Sequence, residues 1–556
     1  MALSFKKVIL VIIDGFGVAS ESKGNAITRA GMPALSDAIN HFPALTLQAA
    51  GPNVGLPWGE PGNSEVGHLC LGAGRVVLQD GPRIDASIVD GSFNDNPVFR
   101  NAFAHIKKTG GTLHLAGLIG EGGVHSSQLH LYALLNLAKE SGINNLAVHA
   151  FTDGRDSSPT DSLQHVKSLE RKMIEIGLGK IVSVTGRFYA MDRGLHWDLT
   201  ESAYRALTEG IGERSESALA AIERNYANNI FDETIPPTII VKEGQKPNTV
   251  GKGDALIFFN FRPDRSIQLT RAFVQPNAVL FKEKPIHLQD LFVATLTEFA
   301  RDLPVEVAFP KVKIENSLSK VLQTTQKKQY HIAEREKYAH VTYFFDCGAD
   351  EPGLNETWDI LKSQSQYLDR YQNVPQMSAP ELTAKLISKL DEDQDFYLVN
   401  YANPDMVGHT GNLEASIKAA EAIDNCIKQI VEKVLARQDT LMLIVADHGN
   451  IETLIEEHTG RINTSHTTNP VPFVAIGQGL QIINPRKGGY IYLATQVPEG
   501  LLADVAPTIL EAFGVQKPIQ MTGVSLLSVF LQQIKNSQEL PIHTGQERSV
   551  SGVLER

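Results

Sequence analysis

The sequence predicts an α/β protein of at least two domains, built on parallel sheets covered by helices. Three observations predict it. Short apolar runs alternate with amphipathic stretches, the pattern of strand–helix–strand units whose sheets are buried on both faces. The 556 residues exceed what one ordinary hydrophobic core organises. Charged or ligand-type residues stand just beyond the ends of the predicted strands, where the sites of open α/β sheets gather.

In chain order, the predicted strands are VILVII (8–13), TLHLAGLI (112–119), NLAVHAF (145–151), IVSVT (181–185) and ALIFFNF (255–261). HVTYFF (340–345), FYLVNY (396–401) and TLMLIVA (440–446) complete the set. Each is a short apolar run of buried-strand length. The clearest helix puts Ile417, Ala420, Ile423, Ile427, Ile430, Val431 and Val434 on one face, with charges opposite. Another opens at Ser378, with Pro380 in its first turn. Residues 346–378 lack clear periodicity and read as a long surface excursion. Residues 531–556 lose hydrophobic periodicity and read as a mobile tail.

Composition excludes several classes. Hydrophobic residues are 42% and charged residues 21%, as in soluble globular proteins. The net charge of −12 argues against nucleic-acid binding. Three scattered cysteines form no metal motif and read as reduced thiols, so a cytoplasmic protein is expected. No segment approaches the ~20 apolar residues of a membrane span. Lys6-Lys7 followed by VILVII imitates a signal peptide, but the run is too short and ends at Asp14, so it reads as a buried strand.

The strand exits carry the chemistry. Asp14 ends the first strand; Asp405 and His409 lie four apart in NPDMVGHTG, on one face if Pro404 opens a helical turn. Asp447-His448 follow TLMLIVA, and His466 lies in the loop TSHTTNP. Each alone is as well explained by a cap or a turn. Together, three Asp and three His suffice for two metal ions, and the carboxylate richness favours Mn²⁺ over Zn²⁺. Ser64, in PGNSEVGH, is the candidate nucleophile, because a metal ion lowers the pKa of a serine hydroxyl. Gly62 and Gly67 beside it would leave room for a tetrahedral group, and a helix starting there would favour an anion. Alone, the stretch describes a turn.

The middle of the chain supplies arginines: Arg155 with Asp156 in FTDGRD, Arg187 and Arg193 in TGRFYAMDR, Arg262 and Arg265 in NFRPDR. Guanidinium forks bind phosphate and carboxylate, so the set suggests a small, multiply anionic substrate. Salt bridges to Asp153, Asp156, Asp192 and Asp264 are the alternative for any one of them. His125 in EGGVHS and Lys337 in EREKYAH could touch a phosphoryl group, though each alone is better explained as an ordinary surface residue.

These stretches, with GNSEVGHLCLGAGR and DVAPTILEAFG, make the chain resemble the cofactor-independent (2,3-bisphosphoglycerate-independent) phosphoglycerate mutases of the alkaline phosphatase superfamily. The resemblance runs in order from about residue 8 to 530. It implies an alkaline-phosphatase-like parallel-sheet domain from residues 1–80 and 311–530, with a second α/β, transferase-like domain inserted at 81–310. It also implies interconversion of 3-phosphoglycerate and 2-phosphoglycerate through a phosphoserine at Ser64. One metal would be held by Asp14, Ser64, Asp447 and His448, the other by Asp405, His409 and His466. Mn²⁺ or Mg²⁺ would serve, and no bisphosphoglycerate. His125, Arg155, Asp156, Arg187, Arg193, Arg262, Arg265 and Lys337 would contact substrate, with Asp156 as general acid and base and Lys337 offsetting phosphoryl charge. A cytoplasmic monomer acting on a small molecule, with neither nucleic acid nor membrane as partner, completes the expectation. The alternative is a metal-dependent phosphatase or phosphodiesterase of the same superfamily.

Overall fold

The computed structural model describes residues 5–286, 288–363 and 368–539. The chain divides into two compact units, Met1–Leu78 with Lys313–Arg556, and Gln79–Val312. In sequence, the second unit interrupts the first.

The first unit rests on an eight-stranded sheet. Its order is Glu356–Leu361, Gln329–Glu334, Phe396–Tyr401, Lys7–Ile13, Thr440–Val445, Val471–Ile476, Ala44–Gln48, Gly500–Leu501. The first five strands run parallel. Val471–Ile476 is antiparallel to both its neighbours, so the sheet is mixed rather than wholly parallel. Residues 446–470 hold only a short 3₁₀ turn instead of a crossover helix, and without a crossover the next strand returns antiparallel.

Register then aligns the strand exits. Ile13 pairs with Tyr401 and Ile12 with Val445, so Asp14 emerges level with the ends of both neighbouring strands. The central strand is buried from Val8 to Ile13 because helices cover both its faces. One of them, Leu413–Leu435, buries Ile417, Ala420, Ile423, Ile427, Ile430 and Val434, the stripe expected from the sequence. Each buried Ile or Val side chain there stabilises by roughly 1.5–3 kcal/mol.

The second unit has its own eight-stranded sheet, in the order Glu306–Phe309, Phe292–Thr297, Ala255–Phe258, Leu113–Leu118, Leu146–Thr152, Lys180–Gly186, Thr238–Ile240, Glu213–Ser215. Only the Lys180–Gly186 and Thr238–Ile240 pair is antiparallel. Alternate residues enter different cores: Leu113, Leu115 and Ile257 on one face, Ala116, Leu118, Leu256 and Phe258 on the other. Two covered faces explain why these strands read as unbroken apolar runs.

Three sequence expectations change. HVTYFF is a π-helical turn, His340–Phe344, and not a strand. It is apolar because it packs against helix Ser64–Ala73, so closely that a Cβ on Gly72 would sit 1.8 Å from the Phe345 carbonyl oxygen. The strand of that region is QYHIAE (Gln329–Glu334), hidden by its polar residues. The excursion at 346–378 contains the edge strand Glu356–Leu361, paired parallel with Gln329–Glu334, while residues 364–367 lie outside the described residues.

The third change concerns residues 531–539, which continue a helix, Leu527–Glu539. Its Phe530 ring meets Phe473 at 5.2 Å, and Gln533 exchanges two hydrogen bonds with the Ala44 backbone. The Gln533 anchor is polar and long-range, so periodicity does not reveal it. The remainder of the expected tail, 540–556, lies outside the described residues.

Gly72→Ala is expected to lower the unfolding free energy by about 1–3 kcal/mol, because an added methyl must displace the turn at Phe345. A shift of the urea midpoint of the purified variant reads this directly; an unchanged midpoint means the turn gives way freely.

Candidate active site

Four adjacent parallel strands of the first unit deliver the site. Beyond their carboxyl ends stand Lys337 (after Gln329–Glu334), Asp405 (after Phe396–Tyr401), Asp14 and Asp447. Asp405 lies in the short helix Asn403–Gly408, whose first turn contains Pro404. The His409 amide donates to the Asp405 carbonyl at 3.0 Å, so one helical turn puts both side chains on one face. All four strand-exit side chains are buried.

Ser64 is the first residue of helix Ser64–Ala73, capped by Asn63, which accepts from the Val66 amide at 3.1 Å. Its Oγ lies 2.8 Å from Lys337 Nζ, 2.9 Å from His448 Nε2 and 3.1 Å from Asp14 Oδ1. Lys337 Nζ also donates to Asp14 Oδ1 at 2.7 Å and Asp405 Oδ2 at 2.8 Å. The hydroxyl thus sits among an ammonium, an imidazole and a carboxylate, at the positive end of a helix.

A second group gathers around Asp405. Its Oδ1 lies 3.2 Å from both His409 Nε2 and His466 Nε2, which are 3.2 Å from each other. His409 Nδ1 donates to the Thr464 carbonyl and His466 Nδ1 to the Gly62 carbonyl, each at 2.8 Å. With those protons on Nδ1, both Nε2 lone pairs face the Asp405 carboxylate. His448 stacks on His466 with ring centroids 3.8 Å apart and joins the two groups.

The electrostatics follow from burial. Burial would lower the Lys337 pKa, but Asp14, Asp405 and Asp447 outweigh it and hold the ammonium above the ordinary lysine range. Burial works against ionising Asp405 and Asp447, yet each lies below the usual carboxylate value. Lys337, His409 and His466 favour the charged Asp405; His448, His68 and Lys337 favour the charged Asp447. Burial and the charge of Asp447 push Asp14 upward.

The donor set fits divalent metal. Ligand atoms of Asp14, Asp447 and His448 lie within 4.8 Å of one another, as do those of Asp405, His448 and His466. Asp447 Oδ2 is buried without a hydrogen-bond partner, and the Nε2 atoms of His409 and His466 converge on Asp405 Oδ1. Carboxylate and imidazole in this mixture suit ions of the Mn²⁺–Zn²⁺ range.

Sequence reasoning missed the supports of these groups. His68, one turn after Ser64, donates from Nδ1 to the Ser64 carbonyl at 2.8 Å and lies 3.2 Å from Asp447 Oδ2. Asn400 donates to Asp14 Oδ2 at 2.8 Å and to His68 Nε2 at 3.0 Å. Glu452, fully buried, accepts from the Gly17 and Asn450 amides at 3.0 and 2.8 Å and ties the Asp447 loop to the first strand's exit. A signal existed for two: His68 follows Ser64 by four, and Asn400 is the lone amide in FYLVNY. The glycines of PGNSEVGH also have another use. A Cβ on Gly62 would sit 2.1 Å from the Ala49 carbonyl oxygen, and one on Gly67 would sit 2.6 Å from that of Asp447. The clearance there is filled by the chain itself.

The second unit gathers the arginines. Arg187, buried at the end of strand Lys180–Gly186, bridges Asp153 Oδ1 and Asp156 Oδ2, both at 2.5 Å. His125 is buried between Asp156 and Asp264, at 3.8 and 3.6 Å. Burial, with Arg187 adding to it, pushes the His125 pKa down to about 4, so the ring is neutral at pH 7. Arg193 reaches Asp264 at 2.6 Å, Arg262 reaches it at 3.3 Å, and Arg155 faces Glu233 at 3.6 Å. Those three guanidinium groups are about half exposed. Arg265 has no carboxylate within ion-pair distance among the described residues; burial, then Arg187, Arg193 and Arg155, lowers its pKa. Five arginines therefore share one region, and among the described residues Arg265 alone of them lacks a carboxylate at ion-pair distance.

The family model described as "BPG-independent PGAM N-terminus" matches residues 84–301, and "Type I phosphodiesterase / nucleotide pyrophosphatase" matches 299–512. The 2,3-bisphosphoglycerate-independent phosphoglycerate mutase of Clostridium botulinum is 44% identical over 94% of this chain and 100% of its own. That of Clostridium acetobutylicum is 45% identical over 94% and 99%. The crystal structure of Leishmania mexicana phosphoglycerate mutase is 29% identical, covering 94% of this chain and 98% of its own, with a TM-score of 0.58. At this identity and coverage, the chain belongs to the 2,3-bisphosphoglycerate-independent phosphoglycerate mutases.

Proposed function

We propose that the protein interconverts 3-phosphoglycerate and 2-phosphoglycerate through a phosphoserine at Ser64. The observation that carries this reading is the position of Ser64 Oγ, within 3.1 Å of Lys337, His448 and Asp14 at a helix N-terminus. Family membership implies dependence on divalent metal and independence of bisphosphoglycerate. Asp14, Ser64, Asp447 and His448 would hold one ion and Asp405, His409 and His466 the other, Mn²⁺ for preference. Such ions lower the pKa of a serine hydroxyl and neutralise charge on transferring oxygens.

The chain's own groups do the rest. Ser64 attacks in line, and the Lys337 ammonium offsets charge on the phosphoryl oxygens. Asn400 and His68 hold Asp14 and Ser64 in register. In the second unit, Arg155, Arg193, Arg262 and Arg265 bind the phosphate and carboxylate of the substrate, with neutral His125 beside them. Arg187 holds Asp156 in place through their ion pair, oriented to exchange a proton with the two glycerate hydroxyls. Retention of the glycerate by the arginines separates a mutase from a phosphatase. Among the described residues no helix is long and apolar enough to cross a membrane, and the reading extends to a cytoplasmic monomer.

Supplied with 3-phosphoglycerate and Mn²⁺ but no bisphosphoglycerate, the protein is expected to form 2-phosphoglycerate. Free phosphate as the main product would replace the mutase by the hydrolase. Ser64→Ala should lose at least ~10³-fold in kcat, and Lys337→Ala on the order of 10²-fold. An undiminished rate in Ser64→Ala removes the phosphoserine from the mechanism.

A pH dependence follows with a definite sign. Hydrogen bonding to Asp405 raises the pKa of His409; burial opposes the rise at His466, but Asp405 again prevails. Protons therefore compete with metal for both rings as pH falls. Activity should fall on the acid side, with a midpoint that moves to lower pH as Mn²⁺ is increased. Profiles at two Mn²⁺ concentrations decide the matter, and coincident midpoints count against these histidines as ligands.

A further inference from the structure

A third group of metal-type ligands lies outside the residues described above. His331, in strand Gln329–Glu334, meets Asp346, just after the π-helical turn, and Glu356, at the start of the edge strand. Their side chains are 0%, 4% and 4% exposed, and one ligand atom from each lies within 4.8 Å of the others. His331 Nδ1 is 3.3 Å from Glu356 Oε1, 3.9 Å from Asp346 Oδ2 and 2.9 Å from the Val341 carbonyl oxygen.

The charge balance of this group is incomplete. Two carboxylates are buried together, and among the described residues no lysine or arginine lies within ion-pair distance of either. Burial also favours the neutral form of His331. Three of the four carboxylate oxygens have donors: the Ser319 hydroxyl on Asp346 Oδ1, Trp358 Nε1 on Glu356 Oε1 at 2.6 Å, and the Gly353 amide on Glu356 Oε2 at 2.9 Å. The fourth, Asp346 Oδ2, is the oxygen that faces His331, and it has no hydrogen-bond partner. Two buried carboxylates this close, with no lysine or arginine beside them, are held together by a metal ion or by a shared proton.

The structure assigns to His331, Asp346 and Glu356 a separate site for a divalent ion of the Mn²⁺–Zn²⁺ range, with the Val341 carbonyl as a fourth ligand. One imidazole nitrogen and three oxygens match the preferences of that class. Binding takes the Nδ1 lone pair, and the imidazole proton shifts to Nε2, which has no partner. No residue of this group is a proposed ligand or substrate contact of the active site, so the ion would be structural, tying the edge strand to its neighbour.

The test counts metal. Full-length protein and the Asp346→Asn/Glu356→Gln variant are stripped with chelator, dialysed against Zn²⁺ and measured by atomic emission. The parent should retain one more ion per chain than the variant. Equal metal content in two proteins with matching circular dichroism overturns the site and leaves a shared proton in its place. Should the double variant not fold, a protein carrying Asp14→Asn, Asp405→Asn and Asp447→Asn decides alone. One retained Zn²⁺ supports the third site, and none overturns it.

Discussion

Three buried aspartates, Asp14, Asp405 and Asp447, share the single ammonium of Lys337. Two like charges 4 Å apart repel by about 4 kcal/mol at an effective dielectric of 20. A fold that brings three together must oppose that cost with opposite charge and rigid support. The opposing groups are present: Lys337 between two of the carboxylates, His68 beside Asp447, Asn400 beneath Asp14 and Asn450 on Asp405 at 3.0 Å. Positive charge is still short by at least one unit. That deficit fits the dependence on divalent metal that family membership implies.

The same constraint accounts for the packing around the site. Asp14 and Asp447 emerge level only because their strands are parallel, adjacent and in fixed register. Gly62 and Gly67 are required because the chain carrying Ser64 passes within contact of Ala49 and of Asp447 itself. Glu452 fastens the loop after Asp447 to Gly17 through backbone amides. Each of these contacts locks a position rather than touching the nucleophile, and together they leave the site little freedom to relax its charges.

The second unit resolves the opposite problem, an excess of cations. Arg187 is buried and matched by two carboxylates, so it organises its surroundings, whereas Arg155, Arg193 and Arg262 keep about half of their side chains in solvent. A buried, saturated arginine positions Asp156. Sequence alone left each arginine open between salt bridge and substrate contact; in the structure Arg187 forms buried salt bridges, while Arg155, Arg193 and Arg262 stay about half exposed.

Much of this was legible in the chain, for reasons that are themselves physical. Strands covered on both faces must be continuously apolar, so VILVII, FYLVNY and TLMLIVA declared themselves, and the residues after them declared the site. The helix at Leu413–Leu435 was equally plain from its stripe. What escaped depends on partners distant in sequence. QYHIAE is a strand whose polar side chains find companions only in the folded state, and HVTYFF is apolar because a turn packs on a helix. Residues 531–539 hold to Ala44 through Gln533, a contact that no local pattern encodes. Alone, the sequence determined the α/β class, the charged strand exits and Ser64 as nucleophile candidate, because residue type and periodicity are local properties. Tertiary structure alone decided that the glycines serve backbone clearance, that His68, Asn400 and Glu452 support the site, and that His331, Asp346 and Glu356 meet. Those outcomes depend on which distant segments are brought into contact, and contact is a property of the fold.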